Sequence, residues 1–388
     1  MTRVWICVTT VFGLLSLGGG AFGQVFSDGL DTGTGWTIAQ DADASAVFGF
    51  DYSTKGLPAA PRGSDTIGLK LEVNNSQPTG AAEIGAFFFD SAFTGQYTLR
   101  VDVWSNWAPD DGGVGTGTTE FVGVSVGHDG AMPGPLGASF LYTGDGDAAA
   151  TDYRLYKEET QLQSESGQYA LGDMAGARDH TNPIIQAAFP EIDIATAVPA
   201  QGSTGLVRAG AAGFQWMTVN VEVDTENLGP SGDTTSPGFA RFTMRSASSG
   251  NTLEIGTVDY SNGEPEEAFL DGSIGLLMSD LFSSVTVDPA FSFSVFDNVE
   301  VFDGLVPLPA DPLAGDYNSD GMVDAADYTV WRDGFGTEFT LSDYDVWANN
   351  FGATAPGAST SIPEPAVSLL AGVAIAAGCC SRRLTRKT

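Results

Sequence analysis

The chain has 388 residues with 49 acidic and 16 basic side chains, so its net charge at pH 7 is −33. A surface this acidic repels phosphate backbones and anionic lipids, which argues against nucleic acid and membrane surfaces as partners. The three cysteines are Cys7, Cys379 and Cys380. Because all of them lie in the terminal segments, residues 24–365 contain no disulfide, cysteine nucleophile or thiolate metal site.

The first 23 residues have the pattern of a secretory signal peptide. Arg3 is followed by an apolar stretch over residues 4–17 and by a small-x-small cleavage site, Ala21-Phe22-Gly23. A membrane anchor is the alternative, but the apolar stretch is short and no stop-transfer sequence follows it. The pattern predicts an exported protein whose mature chain begins near Gln24.

Residues 24–304 have the length and pattern of one large all-β domain. Apolar and polar residues alternate with a period of two, as in antiparallel sheets with one buried face. The apolar positions are Ile67, Leu69, Leu71 and Val73; Tyr97, Leu99, Val101 and Val103; Met217, Val219, Val221 and Val223; Ala240, Phe242 and Met244; and Phe291, Phe293, Val295, Val299 and Val301. Residues 144–213 are less regular, and we predict long loops there with a strand at residues 153–157. The predicted fold is mainly β: a two-sheet antiparallel β-sandwich or jelly roll, followed by a small α-helical calcium-loop unit.

The two ends of this domain resemble a known family of sandwiches. Residues 25–36 and the segment Phe296-Asp297-Asn298-Val299-Glu300-Val301 are similar to the first and last strands of concanavalin-like sandwiches, the superfamily of lectins and glucanases. The resemblance implies a carbohydrate ligand, although this fold supports many functions.

The segment DYNSDGMVDAAD, residues 316–327, has the spacing of an EF-hand calcium loop. Gly321 stands at position 6, where the backbone must turn sharply. Oxygen ligands are predicted at positions 1, 3, 5, 7, 9 and 12, with the backbone carbonyl used at position 7: Asp316, Asn318, Asp320, Met322, Asp324 and Asp327. Four carboxylates around one point are hard to accommodate without a cation, so the sequence predicts one bound Ca²⁺. The alternative is an acidic surface turn.

The calcium loop opens a duplicated unit over residues 315–352. The segment Asp327-Tyr328-Thr329-Val330-Trp331 recurs sixteen residues later as Asp343-Tyr344-Asp345-Val346-Trp347, and each copy continues to a Phe-Gly pair. Each copy places Tyr, Trp and Phe at i, i+3 and i+7, on one face of a short helix, so two helices are expected to pack through these faces. The unit resembles a type I dockerin, whose repeats pair a calcium loop with a helix.

Two departures from the dockerin pattern limit what the resemblance implies. The second repeat offers Arg332, Gly334 and Gly336 at its first three ligand positions, so it is not expected to bind calcium in this way. Ala325 and Ala326 stand where dockerins carry the hydroxyl pair that contacts cohesin. Cohesin is therefore a doubtful partner.

The C-terminal segment, residues 363–388, resembles a PEP-CTERM sorting signal. Pro363-Glu364-Pro365 precedes a fifteen-residue apolar run and an arginine-rich end. The resemblance implies recognition and processing by an exosortase at the cell envelope, with the apolar helix in the membrane before processing. An ordinary C-terminal anchor is the alternative. Residues 305–314, rich in proline, and residues 353–362, rich in small residues, are predicted linkers on either side of the dockerin-like unit.

The sequence offers little support for catalysis, and no catalytic residue is predicted. The two histidines, His128 and His180, accompany no nucleophile motif and are expected in loops or at the surface. The segment from Glu191 through Asp193 is similar to the Glu-x-Asp-x-x-Glu motif of laminarinase-type glucanases, but Thr196 stands where that motif has its acid/base glutamate. Threonine cannot transfer that proton, so the similarity is interpreted as accidental.

A sugar-binding surface is the remaining candidate site. Strand parity turns Trp104 away from the buried Val101 and Val103, with Trp107 and the acidic pair Asp110 and Asp111 following it. Aromatic rings flanked by carboxylates can stack on a sugar ring and hydrogen-bond to it. The alternative is that both tryptophans belong to the rim of the core.

The sequence thus favours an exported calcium-binding protein of the cell envelope or its surroundings that acts as an adhesion module or binds extracellular polysaccharide, another glycan or matrix. One alternative is a polysaccharide hydrolase of the concanavalin-like fold. The other is a purely structural surface component.

Overall fold

The computed structural model describes residues 23–74, 81–90, 93–107, 120–127, 137–146, 151–172, 176–225, 238–260, 270, 272–280, 289–308, 313–318, 321–337 and 339–354. The predicted sorting signal and nearly all of the predicted signal peptide lie outside these residues, as do Asp110, Asp111, His128 and Asp320. The chain divides into two compact units, Met1–Pro309 and Ala310–Thr388.

Within the described residues the chain forms seventeen β-strands and four α-helices. The strands are β1 (Gln24–Asp28), β2 (Trp36–Gln40), β3 (Ala44–Asp51), β4 (Ile67–Val73), β5 (Ala82–Phe89), β6 (Gln96–Asn106), β7 (Glu120–Val126), β8 (Ala138–Thr143), β9 (Tyr153–Lys157), β10 (Thr160–Gln161), β11 (Ile192–Asp193), β12 (Leu206–Val207), β13 (Trp216–Asp224), β14 (Phe239–Ser246), β15 (Thr252–Asp259), β16 (Ser273–Asp280) and β17 (Phe293–Asp303). The helices are α1 (Pro183–Ala188), α2 (Ile194–Ala197), α3 (Ala325–Gly334) and α4 (Leu341–Asn350).

Fifteen of these strands form two antiparallel sheets. Sheet A has the order β15-β14-β13-β6-β17-β4-β3, and β1 pairs with the second half of β17. Sheet B has the order β10-β9-β8-β7-β16-β5-β2. The predicted two-sheet antiparallel sandwich is confirmed, and β9 spans the residues at which a strand was predicted within the irregular region.

The main core lies between the inner faces of the two sheets. The predicted alternating positions of β6, β13 and β14 are all fully or almost fully buried in this core. In β4, Leu69, Leu71 and Val73 are buried there, whereas Ile67 at the strand's start is half-buried. A period of two therefore identified the inner face of sheet A, because apolar side chains on that face remove the largest area from water.

The last strand departs from the predicted alternation. Val299 and Val301 point into the main core, but Phe293 and Val295 belong to a separate cluster on the other face of sheet A. The pairing of β17 with β6 is irregular between Asp297 and Glu300. This β-bulge reverses the parity of the strand, so the prediction of one continuous face from residue 291 to residue 301 was wrong.

Residues after β17 continue to pack on sheet A. The Val306 N–H donates to Thr98 Oγ1 at 2.8 Å, and the Arg100 guanidinium donates to the Pro307 carbonyl at 3.0 Å. The first residues of the predicted linker 305–314 are thus attached to β6.

The second unit contains the two predicted short helices. They pack through the repeated aromatic residues: the ring centroids of Trp331 and Tyr344 lie 5.1 Å apart, and those of Tyr328 and Trp347 lie 5.3 Å apart. Each helix begins with a capping box, Asp324 with Asp327 in α3 and Thr340 with Asp343 in α4. No helix in the described part of the chain is both long and apolar enough to cross a membrane.

At the bulge, Asp297 is a buried carboxyl with a perturbed pKa. It accepts hydrogen bonds from the Tyr52 hydroxyl at 2.9 Å and from the Asn298 N–H at 2.6 Å. Burial is the main cause that raises the pKa of Asp297 to about 7, and the charges of Asp65 and Asp102 add to it, against the lowering effect of the two hydrogen bonds.

Asp297 predicts a pH dependence of stability. A carboxyl whose pKa is higher in the folded than in the unfolded state stabilises the fold at low pH, and this contribution is lost as the pH rises from about 4 to about 7. Asp297→Asn should therefore lose less stability than the wild type between pH 5 and pH 8, as measured by denaturant unfolding. Asp303→Asn, at an exposed position, should keep the wild-type slope. An unchanged slope in Asp297→Asn would contradict the assignment.

Candidate functional site

A groove of about 490 Å³ lies on the outer face of sheet A, the face turned away from sheet B. Its floor contains Trp104 from β6 and Trp216 from β13, which are directly opposite each other in the antiparallel register. The indoles meet edge to face with their centroids 5.7 Å apart. Chain segments outside the sheets form the walls, and the full lining consists of Pro58, Ala59, Pro61, Trp104, Ile192, Asp193, Thr196, Ala197, Phe214, Gln215, Trp216, Ala247 and Ser248.

Hydrogen bonds fix both indoles in the floor of the groove. The Trp216 Nε1–H donates to the Pro58 carbonyl at 2.8 Å, and the Trp104 Nε1–H donates to Asn106 Oδ1 at 3.3 Å. Both rings are almost fully buried, with exposures of 3% and 2%. The groove therefore presents the edges of a rigid aromatic floor that retains little freedom to rearrange.

The two tryptophans predicted as ligand-binding residues are both buried, and only Trp104 lines the groove. Trp104 lies on the outer face of the sheet and lines the groove, but it is covered by other segments and does not form an open stacking platform. Trp107 is also buried and packs edge to face against Phe214, with centroids 4.6 Å apart. Its Nε1–H is buried and has no hydrogen-bond partner in the described part of the chain. Their acidic neighbours in the prediction, Asp110 and Asp111, lie outside the described residues.

The exposed polar side chains of the lining, Asp193, Thr196 and Ser248, form the rim of the groove, and the buried Gln215 contacts Ser248. The Gln215 Oε1 accepts hydrogen bonds from the hydroxyls of Ser246 and Ser248, each at 2.6 Å. Asp193 is exposed, and its carboxylate accepts from the Ala195 N–H at 3.2 Å and the Thr196 hydroxyl at 2.8 Å. These contacts leave acceptor capacity on the Asp193 carboxylate and the Ser248 hydroxyl for a bound molecule.

The glucanase-like segment does not form a pair of catalytic carboxylates. Asp193 ends the two-residue strand β11 and caps the N-terminus of α2, and Thr196 donates to it. Glu191 is exposed before β11 and does not line the groove. The geometry of this segment is that of a helix cap, as expected for an aspartate followed two residues later by a free N–H group.

The described histidine, His180, lies in a small acidic cluster. Its Nδ1 is 3.0 Å from both Asp152 Oδ2 and Asp179 Oδ1, and its backbone N–H donates to Asp152 Oδ2 at 2.8 Å. In the described part of the chain these are the only three side chains of metal-binding type whose ligand atoms all lie within 4.8 Å of one another. Because the imidazole already contacts both carboxylates, contacts within the cluster account for its arrangement.

The predicted calcium loop has the backbone turn that its sequence requires. Asp316 Oδ2 accepts from the Gly321 N–H at 2.7 Å, and Gly321 has a φ of +85°, which a residue with a side chain rarely adopts. The apolar position of the loop, Val323, is fully buried and pairs with the segment after α4 through hydrogen bonds with Gly352 and Ala353. The loop is therefore docked on its own unit through this buried valine.

Asp327 joins the two ends of the loop. Its carboxylate is fully buried and accepts three backbone N–H groups: Tyr317 at 2.8 Å, Asn318 at 3.0 Å and Asp324 at 2.8 Å. A carboxylate has about four acceptor positions, so roughly one remains for a cation. The oxygen donors of Asp316, Asn318 and Asp324 suit Ca²⁺, a hard cation that takes oxygen ligands. The described residues thus fit the predicted ion, with Asp327 acting largely as the brace of the loop.

Comparisons with known proteins leave the family open. No protein-family model matches the chain, and no curated protein matches it. Similar solved structures include the carbohydrate recognition domain of Emp47p, with 10% identity over 75% of this chain and 100% of that chain and a TM-score of 0.33. They also include the exoplasmic/lumenal domain of VIP36 in a form bound to Ca²⁺ and Man2, with 9% identity over 71% and 83% of the two chains and a TM-score of 0.34.

A third similar structure is the carbohydrate esterase vb_24B_21 from the Shiga toxin-encoding bacteriophage phi24B, with 10% identity over 73% and 100% of the two chains and a TM-score of 0.32. At such identities a similarity concerns the fold alone, and at TM-scores below 0.5 it carries no argument about binding or activity. The sheets described above establish the fold as a two-sheet antiparallel sandwich.

Proposed function

We propose that the protein is an exported, non-catalytic binding protein for neutral extracellular polysaccharide, and that the groove on the outer face of sheet A is its binding site. The observation that carries the proposal is the rigid aromatic floor formed by Trp104 and Trp216 beside a polar rim. Sugar rings have apolar C–H faces and polar edges, so they suit a groove with aromatic and proline walls and hydroxyl, amide and carboxylate groups at its edge.

The charge of the protein selects among polysaccharides. A net charge of −33 opposes the approach of anionic polymers, and the ionisable residue that lines the groove is the acidic Asp193. Neutral glycans do not experience this repulsion. The proposal is therefore restricted to neutral polysaccharides.

Binding is favoured over hydrolysis because the described residues that line the groove do not include the required pair of acids. A retaining glycosidase places two carboxyl groups about 5 Å apart, and an inverting one about 6.5–9.5 Å apart. In the described lining, Asp193 is the one carboxylate, and it is already a helix cap. Glu191 lies outside the lining, so it does not supply the second acid.

We further propose that the second unit binds one Ca²⁺ through residues 316–327 as a dockerin-like module, and that the chain is exported and sorted at the envelope through the signals at its two ends. The spacing of the loop, the turn at Gly321 and the capping role of Asp343 in the second repeat support a single calcium site. The signal-peptide pattern and the Pro-Glu-Pro segment support export and exosortase processing.

Filling the groove should weaken binding. Trp104→Ala is a poor test, because truncating a buried tryptophan costs about 3–5 kcal/mol of stability. Ala247→Trp instead adds a ring at an exposed position of the lining. In affinity electrophoresis through gels containing laminarin, mannan or xylan, this variant should bind at least about fivefold more weakly than the wild type, the equivalent of about 1 kcal/mol of lost ring contact.

The matched control for this experiment is Ala187→Trp, which adds the same ring at an exposed position outside the groove. The control should bind as the wild type does, and all three proteins should have the same thermal midpoint. Wild-type retention by none of the neutral gels, or equal retention of Ala247→Trp, would contradict the proposed site.

Glu191→Gln should leave polysaccharide binding unchanged and should not alter any release of reducing ends. The physical reason is that Glu191 is exposed, lies outside the groove and has no acid/base partner at Thr196. Reducing-end assays on the same three polysaccharides provide the measurement. A glutamine variant that stays folded but loses a measurable hydrolytic activity would support the hydrolase alternative instead.

The fragment 310–354 should fold only when Ca²⁺ is present. Its two helices of ten residues are too short to persist alone, so the free energy of binding becomes free energy of folding. Circular dichroism should show a calcium-dependent transition that Asp316→Ala and Asp327→Ala abolish and that the exposed Asp345→Ala retains. Calorimetry should give one site per fragment. Two equal sites, or none, would show the single-loop interpretation to be wrong.

A further inference from the structure

Two carboxylates face each other at one end of the inter-sheet core. Glu120 opens β7 and Asp280 ends β16, and these two residues are direct partners in the register of sheet B. Val122, Val124 and Met278 on the same strands point into the main core. Because side chains alternate along a strand, Glu120 and Asp280 continue this inward face to the edge of the core.

Groups from sheet A approach the same point. The Asn74 amide, directly after β4, donates to Asp280 Oδ2, and the Ser292 hydroxyl, directly before β17, donates to Glu120 Oε1 at 2.7 Å. Asn74 is 5% exposed and has a φ of 52°. The backbone of Asn74 thus adopts a left-handed conformation at the point where the two sheets meet.

One oxygen in this group has no hydrogen-bond partner among the described residues. Glu120 is partly exposed at the strand end, but its Oε2 is buried and receives no hydrogen bond from them. Among the described residues, the charges of Asp280 and Asp145 raise the pKa of Glu120, and both are negative. Asp280 and Asp145 are themselves 0% and 1% exposed. Burying a carboxylate oxygen beside two other acids without compensation is strongly unfavourable.

We propose that Glu120 and Asp280 are the carboxylate ligands of a divalent-cation site, best suited to Ca²⁺, that joins the two sheets at this end of the sandwich. The Ser292 hydroxyl oxygen supplies a neutral ligand from the opposite sheet, and the Asn74 amide N–H that donates to Asp280 Oδ2 holds that carboxylate in place. Carboxylate and hydroxyl oxygens are hard ligands that suit Ca²⁺, which completes its six to eight ligands with water.

Protonation of Glu120 is the alternative way to reduce the negative charge of this group. Burial, followed by the charges of Asp280 and Asp145, raises the pKa of Glu120 to about 7, against the lowering effects of the Ser292 hydrogen bond and of Glu120's own backbone N–H. One proton removes one negative charge from the group, whereas a divalent cation offsets two and also engages the unpartnered oxygen. A cation therefore accounts for both the buried negative charges and the unpartnered oxygen, whereas a proton accounts only for one of the charges.

The test uses the full-length chain carrying Asp316→Ala, which disables the calcium loop of the second unit. Calorimetric titration with Ca²⁺ alone at pH 8 should show one remaining site, and Ca²⁺ should raise the thermal midpoint relative to EDTA. Adding Glu120→Gln or Asp280→Asn should weaken the remaining site at least about tenfold, because each removes a charged ligand. Titration with Mg²⁺ alone compares the smaller cation at the same site.

Glu83→Gln is the matched control in the same background. Glu83 lies on β5 with its pKa raised by burial and by Asp41, but it sits on the outer face of sheet B. This variant should retain the site. Equal calcium binding with and without Glu120→Gln would overturn the proposal. A second result would also overturn it. If the thermal midpoint of the Asp316→Ala protein did not change with Ca²⁺ at pH 8, but rose on acidification through pH 7 only when Glu120 was present, then protonation of Glu120 would explain the buried charges.

Circular dichroism of each variant in EDTA identifies any that fails to fold. For such a variant, the thermal midpoint of the Asp316→Ala protein measured in EDTA and in Ca²⁺ decides the proposal instead. Retention on polysaccharide gels is measured separately, so loss of the cation site and failure of the groove as a glycan site give different results.

Discussion

The central strands of sheet A have to be covered on both faces, and the groove follows from that constraint. β13 is buried along its whole length and β6 along all but its first residue. Their inner faces pack into the main core, whereas their outer faces carry indole rings that water cannot accommodate cheaply. Segments outside the sheets therefore fold back over this face and bury a second apolar cluster, which includes Tyr52, Ile194 and Phe214. The groove is the part of this cover that remains open.

An ion pair between the fully buried Asp102 and the partly exposed Arg62 holds one wall of the groove in place. Asp102 on β6 is fully buried, and its oxygens accept from Arg62 Nε at 3.0 Å, from the Thr218 hydroxyl at 2.7 Å and from the Asn298 amide at 3.0 Å. Arg62 also bonds to Glu300 and to the Asn298 carbonyl. Removing one partner of such a pair is costly, because it leaves a buried charge without compensation. The pair therefore ties the segment that carries Pro58 and Pro61 to the sheet, and with it the Pro58 carbonyl that receives the Trp216 indole.

The sequence predicted the inner face of sheet A because alternation and burial obey the same period there. It did not predict β5, β7, β8 or β16, which have buried residues on both faces and so lose the alternation. Phe87 illustrates the reason: it packs on the outer face of sheet B against Gly275, where a Cβ would come within 2.8 Å of its ring. The bulge at Asp297 and the cover over Trp104 were also beyond prediction, since both depend on contacts between residues far apart in the sequence.

The parts of the second unit that could be predicted are local. Gly321 turns the loop, Val323 docks it, and the repeated Tyr and Trp positions pack α3 on α4, and each of these follows from spacing within a dozen residues. Spacing alone does not reveal that Asp327, predicted as a calcium ligand, also holds the loop together through three hydrogen bonds.

The buried carboxylates of this acidic chain are stabilised in different ways: Asp102 by a guanidinium, Asp297 by a phenol, and Asp327 by backbone N–H groups. Glu120 differs from these three because one of its oxygens is buried without any such partner among the residues that the structure describes, and that contrast is the physical basis for assigning a cation to it.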